Sequence, residues 1–398
     1  MDMASSLILI SNPGSASRKY ALYDGEVCRA RLHVEWAGGT VAATLERDGQ
    51  TRTVALECAA IDQAAEQVKG VFAAEGVLQA SETIGRIGLR IVAPGSYFLA
   101  DHALDARAIE RLQNAARLAP LHVTATLDEL RKLQVHFPLA DIVGVSDSAF
   151  HITKPDYAWN YGLPLHDADR LDIKRFGYHG LSVASVVRTL QVAGKLTPRL
   201  LVCHVGSGVS VTAVHNGKSV DTTMGYTPLE GAIMATRSGS IDVAAAHELK
   251  RALGFDDAQL EAYLNKHGGL RGLGGSSDLR ELLAREADGD HYAHLAIQTY
   301  VFSLQKSIGA MAAVLGGADA LVFTGTAGER SAPLRHRLAN RLQYLDFFVN
   351  HQANTAIAGD EKAPALISEL ALSKPIFVVP TNEAAEMAHQ VALFPLRP

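Results

Sequence analysis

The chain has 398 residues, 48% of them hydrophobic and 20% charged, with a formal net charge of −5. That length accommodates two domains of ordinary size. The acidic balance, with no Lys/Arg tract, argues against a nucleic-acid binder, which needs cations to neutralise phosphates. No apolar run approaches the roughly 20 residues that span a bilayer, and no basic segment precedes Leu7 as a signal peptide requires. Cys28, Cys58 and Cys203 lack CxxC spacing and read as free thiols of a reducing compartment. The expected location is cytoplasmic, with no membrane and no nucleic acid among the partners.

The first predicted element is a hairpin. The apolar run Leu7–Ile10 meets the turn Asn12-Pro13-Gly14-Ser15, and a second run, Tyr20–Tyr23, ends in Asp24-Gly25. An alternation follows around Thr51–Leu56, then a helical pattern from Ile61 to Ala74. The strand Ile87–Val92 carries Arg90 and ends in Ala93-Pro94-Gly95. Helical patterns cover Ala106–Leu118 and Val123–Leu133, and the strand Ile142–Val145 leads into Ser146-Asp147-Ser148. The order then repeats. The run Leu200–His204 meets the turn Gly206-Ser207-Gly208, and Val209–Val214 closes in Asn216-Gly217, with the same spacing from Gly206 to Gly217 as from Gly14 to Gly25. A buried strand, Ala320–Phe323, runs into the loop Gly325-Thr326-Ala327-Gly328-Glu329, with a helix expected from Ser331. A last strand, Ile376–Val379, precedes a short helix from Glu383. Hairpins followed by strand–helix alternation predict mixed sheets covered by helices, an α/β protein.

Gly/Ser turns expose successive backbone N–H groups and make concave anion sites, and a glycine loop opening a helix brings backbone close to a nucleotide. Any one such turn is ordinary hairpin chemistry. Three of them at strand ends, two in duplicated hairpins, predict a nucleotide or phosphate site.

Further stretches are specific. Asn12-Pro13-Gly14-Ser15-Ala16-Ser17, Phe176-Gly177-Tyr178-His179-Gly180 and the unbroken block Asn216 to Asp242 resemble the acetate kinase family. The resemblance continues through Ser276-Ser277-Asp278-Leu279-Arg280, Phe323-Thr324-Gly325 and Thr381-Asn382-Glu383, and so spans the chain in order. It implies two duplicated ribonuclease H-like domains, the fold of actin, sugar kinases and heat-shock ATPases, clamping a nucleotide between them. On that basis residues 1–150 with 384–398 form an N-terminal lobe carrying acyl-substrate and phosphate elements. Residues 151–383 form a C-terminal lobe with nucleotide elements and a homodimer interface.

The implied reaction is reversible, Mg²⁺-dependent transfer of the ATP γ-phosphoryl group to acetate, by in-line displacement. Planar guanidinium donors suit the charge spread over the equatorial oxygens, and the resemblance assigns this role to Arg90 and Arg237; in isolation a strand-end arginine reads as a solvated side chain. His179, in a turn expected to expose its imidazole, would donate to the migrating group, with His122 in support. Neither need be a general base, since a carboxylate is ionised at pH 7. Asp147 and Glu383, either of which could merely cap a helix, match the family's acidic pair near the metal, with Asn12 orienting a phosphate or a metal-bound water. Val92, Leu121, Tyr178 and Pro228 match the small apolar pocket around the acyl methyl, where Tyr178 adds a hydroxyl. Phosphate and nucleotide contacts would come from Asn12, Ser15, Ser17, His204, Gly206, Ser207, Gly208, Asp278, Leu279, Arg280, Gly325, Thr326, Ala327, Gly328 and Arg330.

Departures from the family pattern cluster at the nucleotide end. Ser207 stands for an asparagine, Ala93-Pro94 for His-Gly, Val123-Thr124 for Asn-Pro, and Thr326 and Arg330 for Gly and Asn. Leu181 and Val183 replace polar residues, and Gly272–Ser276 is one residue short. Pyrophosphate or another nucleotide therefore stays open as donor, and propionate or butyrate as acceptor. A nucleotide-gated protein of the actin or chaperone type, and a relative that only binds its ligands, are the remaining alternatives.

Overall fold

A computed structural model describes residues 7–14, 17–37, 40–117, 119–359, 361, 363–369 and 371–395, with backbone alone at 37 and 120–122. The chain divides into two compact units, Met1–Ala149 with Asn382–Pro398, and Phe150–Thr381.

The first unit is built on one sheet of β1 (Leu7–Pro13), β2 (Ser17–Asp24), β3 (Val27–Ala37), β4 (Thr40–Arg47), β5 (Gln50–Val54), β6 (Ile84–Ile91), β7 (His102–Ala103) and β8 (Asp141–Ser146), in the order β5-β4-β3-β2-β1-β6-β8-β7. β1 to β5 form an antiparallel meander, while β1, β6 and β8 run parallel. β3 and β4, absent from the sequence reading, enlarge the hairpin. In β3 the buried Ala30, Leu32 and Val34 alternate with Arg31, His33 and Glu35, the period-2 pattern of a half-buried strand. Leu7 and Leu9 of β1 join Val68 and Phe72 of the helix Ala64–Ala74 and Leu130 and Leu133 of the helix Pro120–His136 in one core. The helix Glu383–Leu393 packs on β1, β6 and β8. Ile8 and Ile10 are as buried as Leu7 and Leu9, because both faces of the parallel part are covered. This packing also puts Glu383, assigned to the second lobe by sequence, in the first unit.

The second unit holds β9 (Arg199–Val205), β10 (Val209–His215), β11 (Lys218–Thr222), β12 (Ala320–Thr324), β13 (Ala365–Leu366) and β14 (Ile376–Val378), ordered β11-β10-β9-β12-β14-β13. β9, β12 and β14 are parallel; β10, β11 and β13 are antiparallel to their neighbours. This is the pattern of β3-β2-β1-β6-β8-β7, strand for strand and direction for direction. The hairpin repeat in the sequence thus marks a duplicated topology. The helix Gly180–Val192 covers one face through Val183, Val186, Val187 and Leu190, against Leu200, Val202 and Val322; the helix His291–Val314 packs on β9, β10 and β11.

The third glycine loop differs from expectation. Thr326–Arg330 is already helical, and Ser331 caps the next helix, Ala332–Asn340, rather than opening the first. The reason is local: the Glu329 carboxylate folds back to accept the Gly325 N–H at 2.9 Å, closing the turn that a loop would leave open.

Candidate active site

In the first unit, three parallel strands end side by side, and in such sheets ligands bind beyond the carboxyl ends of the strands. Asn12 stands near the end of β1, Arg90 near the end of β6, Asp147 directly after β8, and Glu383 opens its helix after the capping residue Asn382. Arg90 joins them. Its guanidinium lies 3.0 Å from Asp147 Oδ2 and 3.2 Å from Glu383 Oε2, and it donates to Asn12 Oδ1 at 3.2 Å. Asn12 in turn donates from Nδ2 to Glu383 Oε2 at 2.9 Å. The Asp147 side chain is 1% exposed, and those of Arg90 and Glu383 17% each. Burial works against the charge on Arg90, but Asp147 and Glu383 outweigh it and hold the guanidinium protonated above its ordinary range. Two carboxyl groups thus share one guanidinium.

That donor set fits Mg²⁺, which takes hard oxygens and typically one or two carboxylates, with water and substrate phosphate completing its shell. Among the described residues no group of three or more His, Cys, Asp or Glu could hold a metal ion. Ser17 lies in β2 and its carbonyl accepts the Gly14 N–H at 2.8 Å. Ser15 lies outside the described residues. Val92 is half-buried after β6, while Leu121 and His122 fall in the first turn of the helix Pro120–His136, their side chains outside the described residues.

In the second unit, the turn between β9 and β10 is closed by Gly206 N–H donating to the Gly208 carbonyl at 2.9 Å. Around it stand two histidines with ring centroids 4.2 Å apart, His179 and His204. Thr381 Oγ1 donates to Ser182 Oγ at 2.9 Å, and Ser182 Oγ lies 2.7 Å from His204 Nδ1. Thr381, Ser182 and His204 thus form one hydrogen-bonded chain that fixes the orientation of the His204 ring. His179 is half-buried rather than exposed. It caps the helix Gly180–Val192 in the left-handed region, φ 60°, with Nδ1 3.0 Å from Ser210 Oγ.

Arg237 donates to the Pro228 carbonyl at 3.3 Å, and its segment is tied to the turn by Ala235 N–H donating to the Ser207 carbonyl at 3.2 Å. Gly208 permits this crowding. A Cβ there would lie 3.1 Å from His179 Nε2 and 3.2 Å from Arg237 Nη1. Gly325 is required twice over: its φ is +78°, and a Cβ would lie 2.9 Å from the Val205 backbone and 3.1 Å from His204 Nε2. Gly206, Gly208, His179, His204, Arg237 and Gly325 thus form one neighbourhood of donors and bare backbone, suited to an anion.

Other expected residues have different surroundings. The Tyr178 hydroxyl, read as lying beside the acyl pocket, is buried and donates to the Tyr226 carbonyl at 2.7 Å. Pro228 is buried. Asp278 caps the helix Leu279–Ala287 through Arg280 N–H at 2.8 Å and pairs with the exposed Arg280 guanidinium; Leu279 is buried. Of the third turn, Gly325 and Gly328 are buried, Ala327 half-buried, and Thr326 and Arg330 exposed, as is Ser207.

Several contributors escaped the sequence reading. Glu329 accepts N–H groups from both Gly325 and Thr381, at 2.9 and 3.0 Å; burial raises its carboxyl above the usual range. Arg335, fully buried, donates to the carbonyls of Gly328 and Glu329 at 3.0 and 2.6 Å and to Asn354; burial pushes it down to about 10. His151, also buried, is pushed down to about 3 and, as the neutral ring, donates from Nε2 to the Tyr178 carbonyl at 3.0 Å. A Glu four residues after a strand-end glycine was a usable signal for Glu329. Arg335 and His151 carried none.

The acetokinase family matches this chain over residues 7–389. The chain belongs to the acetokinase family. It is a kinase, a phosphotransferase with a carboxyl group as acceptor. It is 38% identical to the acetate kinase of Streptomyces coelicolor, over 98% of this chain and 97% of that one. With the acetate kinase of Deinococcus deserti it shares 39% identity over 96% of each. Among solved structures, a propionate kinase from Francisella tularensis superimposes with a TM-score of 0.87 at 32% identity, covering 97% of this chain and 99% of that one. The acetate kinase of Porphyromonas gingivalis gives 0.84 at 31% identity, with the same coverage. The duplicated α/β architecture of the acetokinase family member is thus the actin/sugar kinase-like fold expected from the resemblance.

Proposed function

We propose that this chain is an acetate kinase, transferring the γ-phosphoryl group of ATP reversibly to acetate with Mg²⁺, to give acetyl phosphate and ADP. The observation that carries the reading is the ion-paired set Arg90, Asp147, Glu383 and Asn12, in a chain whose full-length relatives are acetate kinases. Asp147 and Glu383, with Asn12, would hold Mg²⁺, which when bound neutralises phosphate charge. Arg90 orients the acetate carboxylate and, with Arg237 and His179, donates to the migrating group, whose charge needs fixed donors rather than covalent help. His204 and the backbone of 207–208 and 326–328 serve the nucleotide phosphates. By the resemblance, Val92, Leu121, Tyr178 and Pro228 would serve the acyl methyl and His122 the carboxylate.

Propionate is the second reading, favoured by the Francisella tularensis propionate kinase structure. One methylene in an apolar pocket discriminates by only about 1–3 kcal/mol. Hydroxamate trapping of the acyl phosphate, with acetate, propionate or butyrate and with ATP or pyrophosphate, separates these cases. Acetate with ATP is expected to have the highest kcat/KM. A higher value for propionate reassigns the acceptor, and turnover with pyrophosphate alone reassigns the donor.

Gly208→Ala is expected to lower kcat/KM by about 10- to 100-fold, since its methyl displaces His179 and Arg237 by tenths of an ångström. Thermal unfolding should stay near wild type, because the atoms that must move are side-chain tips. Steady-state kinetics beside a melting curve checks both.

We place the protein in the cytoplasm, as a homodimer. Three cysteines without a disulfide support the first; exposed Ile152, Tyr157, Leu165 and Leu171 in the second unit support the second. Light scattering on the purified chain tests the dimer.

A further inference from the structure

Beneath the first glycine turn lies a charged pair that the reaction above does not use. Arg18 of β2 and Glu129 of the helix Pro120–His136 are 4% and 1% exposed, with Nε and Oε2 3.3 Å apart. The other carboxylate oxygen of Glu129 accepts the hydroxyl of Ser11, itself fully buried, at 2.7 Å. The Arg18 guanidinium donates to the Gly14 carbonyl and, at 3.2 Å, to that of Ser17. Those two residues close the base of the turn, Gly14 N–H to Ser17 carbonyl. Ser11 immediately precedes Asn12, whose amide bridges Arg90 and Glu383. One buried carboxylate therefore grips the strand just before Asn12 and, through Arg18, both carbonyls at the base of the turn.

A desolvated ion pair is a poor source of net stability; apolar residues of similar volume hold a core as well or better. What it supplies, and apolar packing does not, is direction. A guanidinium bonded to two carbonyls fixes the planes of two peptide groups, and anion sites built from backbone depend on where those planes point.

We propose that Glu129 is a positioning residue, which through Arg18 and Ser11 holds Asn12 and the base of the first glycine turn in the orientation that receives the phosphate chain of the donor. This rests on the kinase reading above. It makes Glu129 and Arg18 determinants of nucleotide affinity, although neither touches the nucleotide.

The test separates orientation from stability. Glu129→Leu alone strands a buried cation and is expected to fold poorly, so the informative variant is the triple replacement Ser11→Ala, Arg18→Met, Glu129→Leu, made in a Tyr20→Phe background because the buried Tyr20 hydroxyl also bonds Glu129. It is expected to melt close to wild type, with KM and calorimetric Kd for MgATP raised between about 10- and 100-fold and KM for acetate changed less than about twofold. Glu129→Gln, which keeps the acceptor for Ser11, should fall between. Wild-type Kd for MgATP in the triple variant, or an equal rise in KM for both substrates, overturns the proposal. A wild-type chain that binds MgATP but forms no acyl phosphate from any carboxylate speaks against the kinase reading alone, and the Kd comparison still decides the role of Glu129. A wild-type chain that binds no MgATP overturns both.

Discussion

Replacing Arg237 by alanine is expected to lower kcat by about 10³-fold or more, the scale lost with a transition-state arginine in phosphoryl transfer, while leaving the fold intact. The asymmetry follows from its surroundings. Its guanidinium donates to the Pro228 carbonyl at 3.3 Å and approaches Met234 Sδ at 3.6 Å. Its backbone, by contrast, is held independently: Met234 N–H donates to the Arg237 carbonyl at 3.1 Å, and Ala235 ties the segment to Ser207. Truncating the side chain therefore removes a donor while these backbone bonds keep the segment in place. Steady-state turnover with acetate and ATP, alongside circular dichroism, measures the two halves of the claim. Undiminished turnover would remove Arg237 from the reaction.

The Arg90→Ala variant should fail in two ways. Turnover should drop by a comparable factor, about 10³-fold, since the same charge argument applies. Stability should also fall by about 3–5 kcal/mol, the usual consequence of deleting one partner of a buried pair, because Asp147 and Glu383 lose the cation between them. Magnesium then becomes the diagnostic. If Asp147 and Glu383 are the metal anchors, millimolar MgCl₂ should raise the melting temperature of the variant more than that of wild type, the ion replacing the missing positive charge. Equal shifts in the two proteins would detach these acids from the metal.

Legibility in the sequence followed the range of the interactions. The two hairpins could be read because a Gly/Ser turn and an Asp-Gly or Asn-Gly reversal are local, and their repetition anticipated two sheets of matching order. Arg90, Asp147 and Asn12 were picked out by the family resemblance, since a strand-end arginine by itself reads as a solvated side chain. The third turn was misread because Thr326–Arg330 is too short and glycine-rich to show a helical period, and what shapes it is the Glu329 carboxylate. His179 looked exposed in a glycine-flanked turn, yet Ser210 and His204, distant in sequence, cover it. The Tyr178 hydroxyl was read as a pocket feature and instead meets a backbone carbonyl of Tyr226.

The sequence by itself determined the duplicated α/β plan, the glycine turns and the inventory of arginines and acids, since turns, strand periods and family motifs are written in near neighbours. Tertiary structure alone decided that Arg90 bridges Asp147 and Glu383, that Thr381 reaches His204 through Ser182, and that Glu129 stands under the first turn. Those pairings join residues many positions apart, and their strength comes from exclusion of water, which no local pattern encodes.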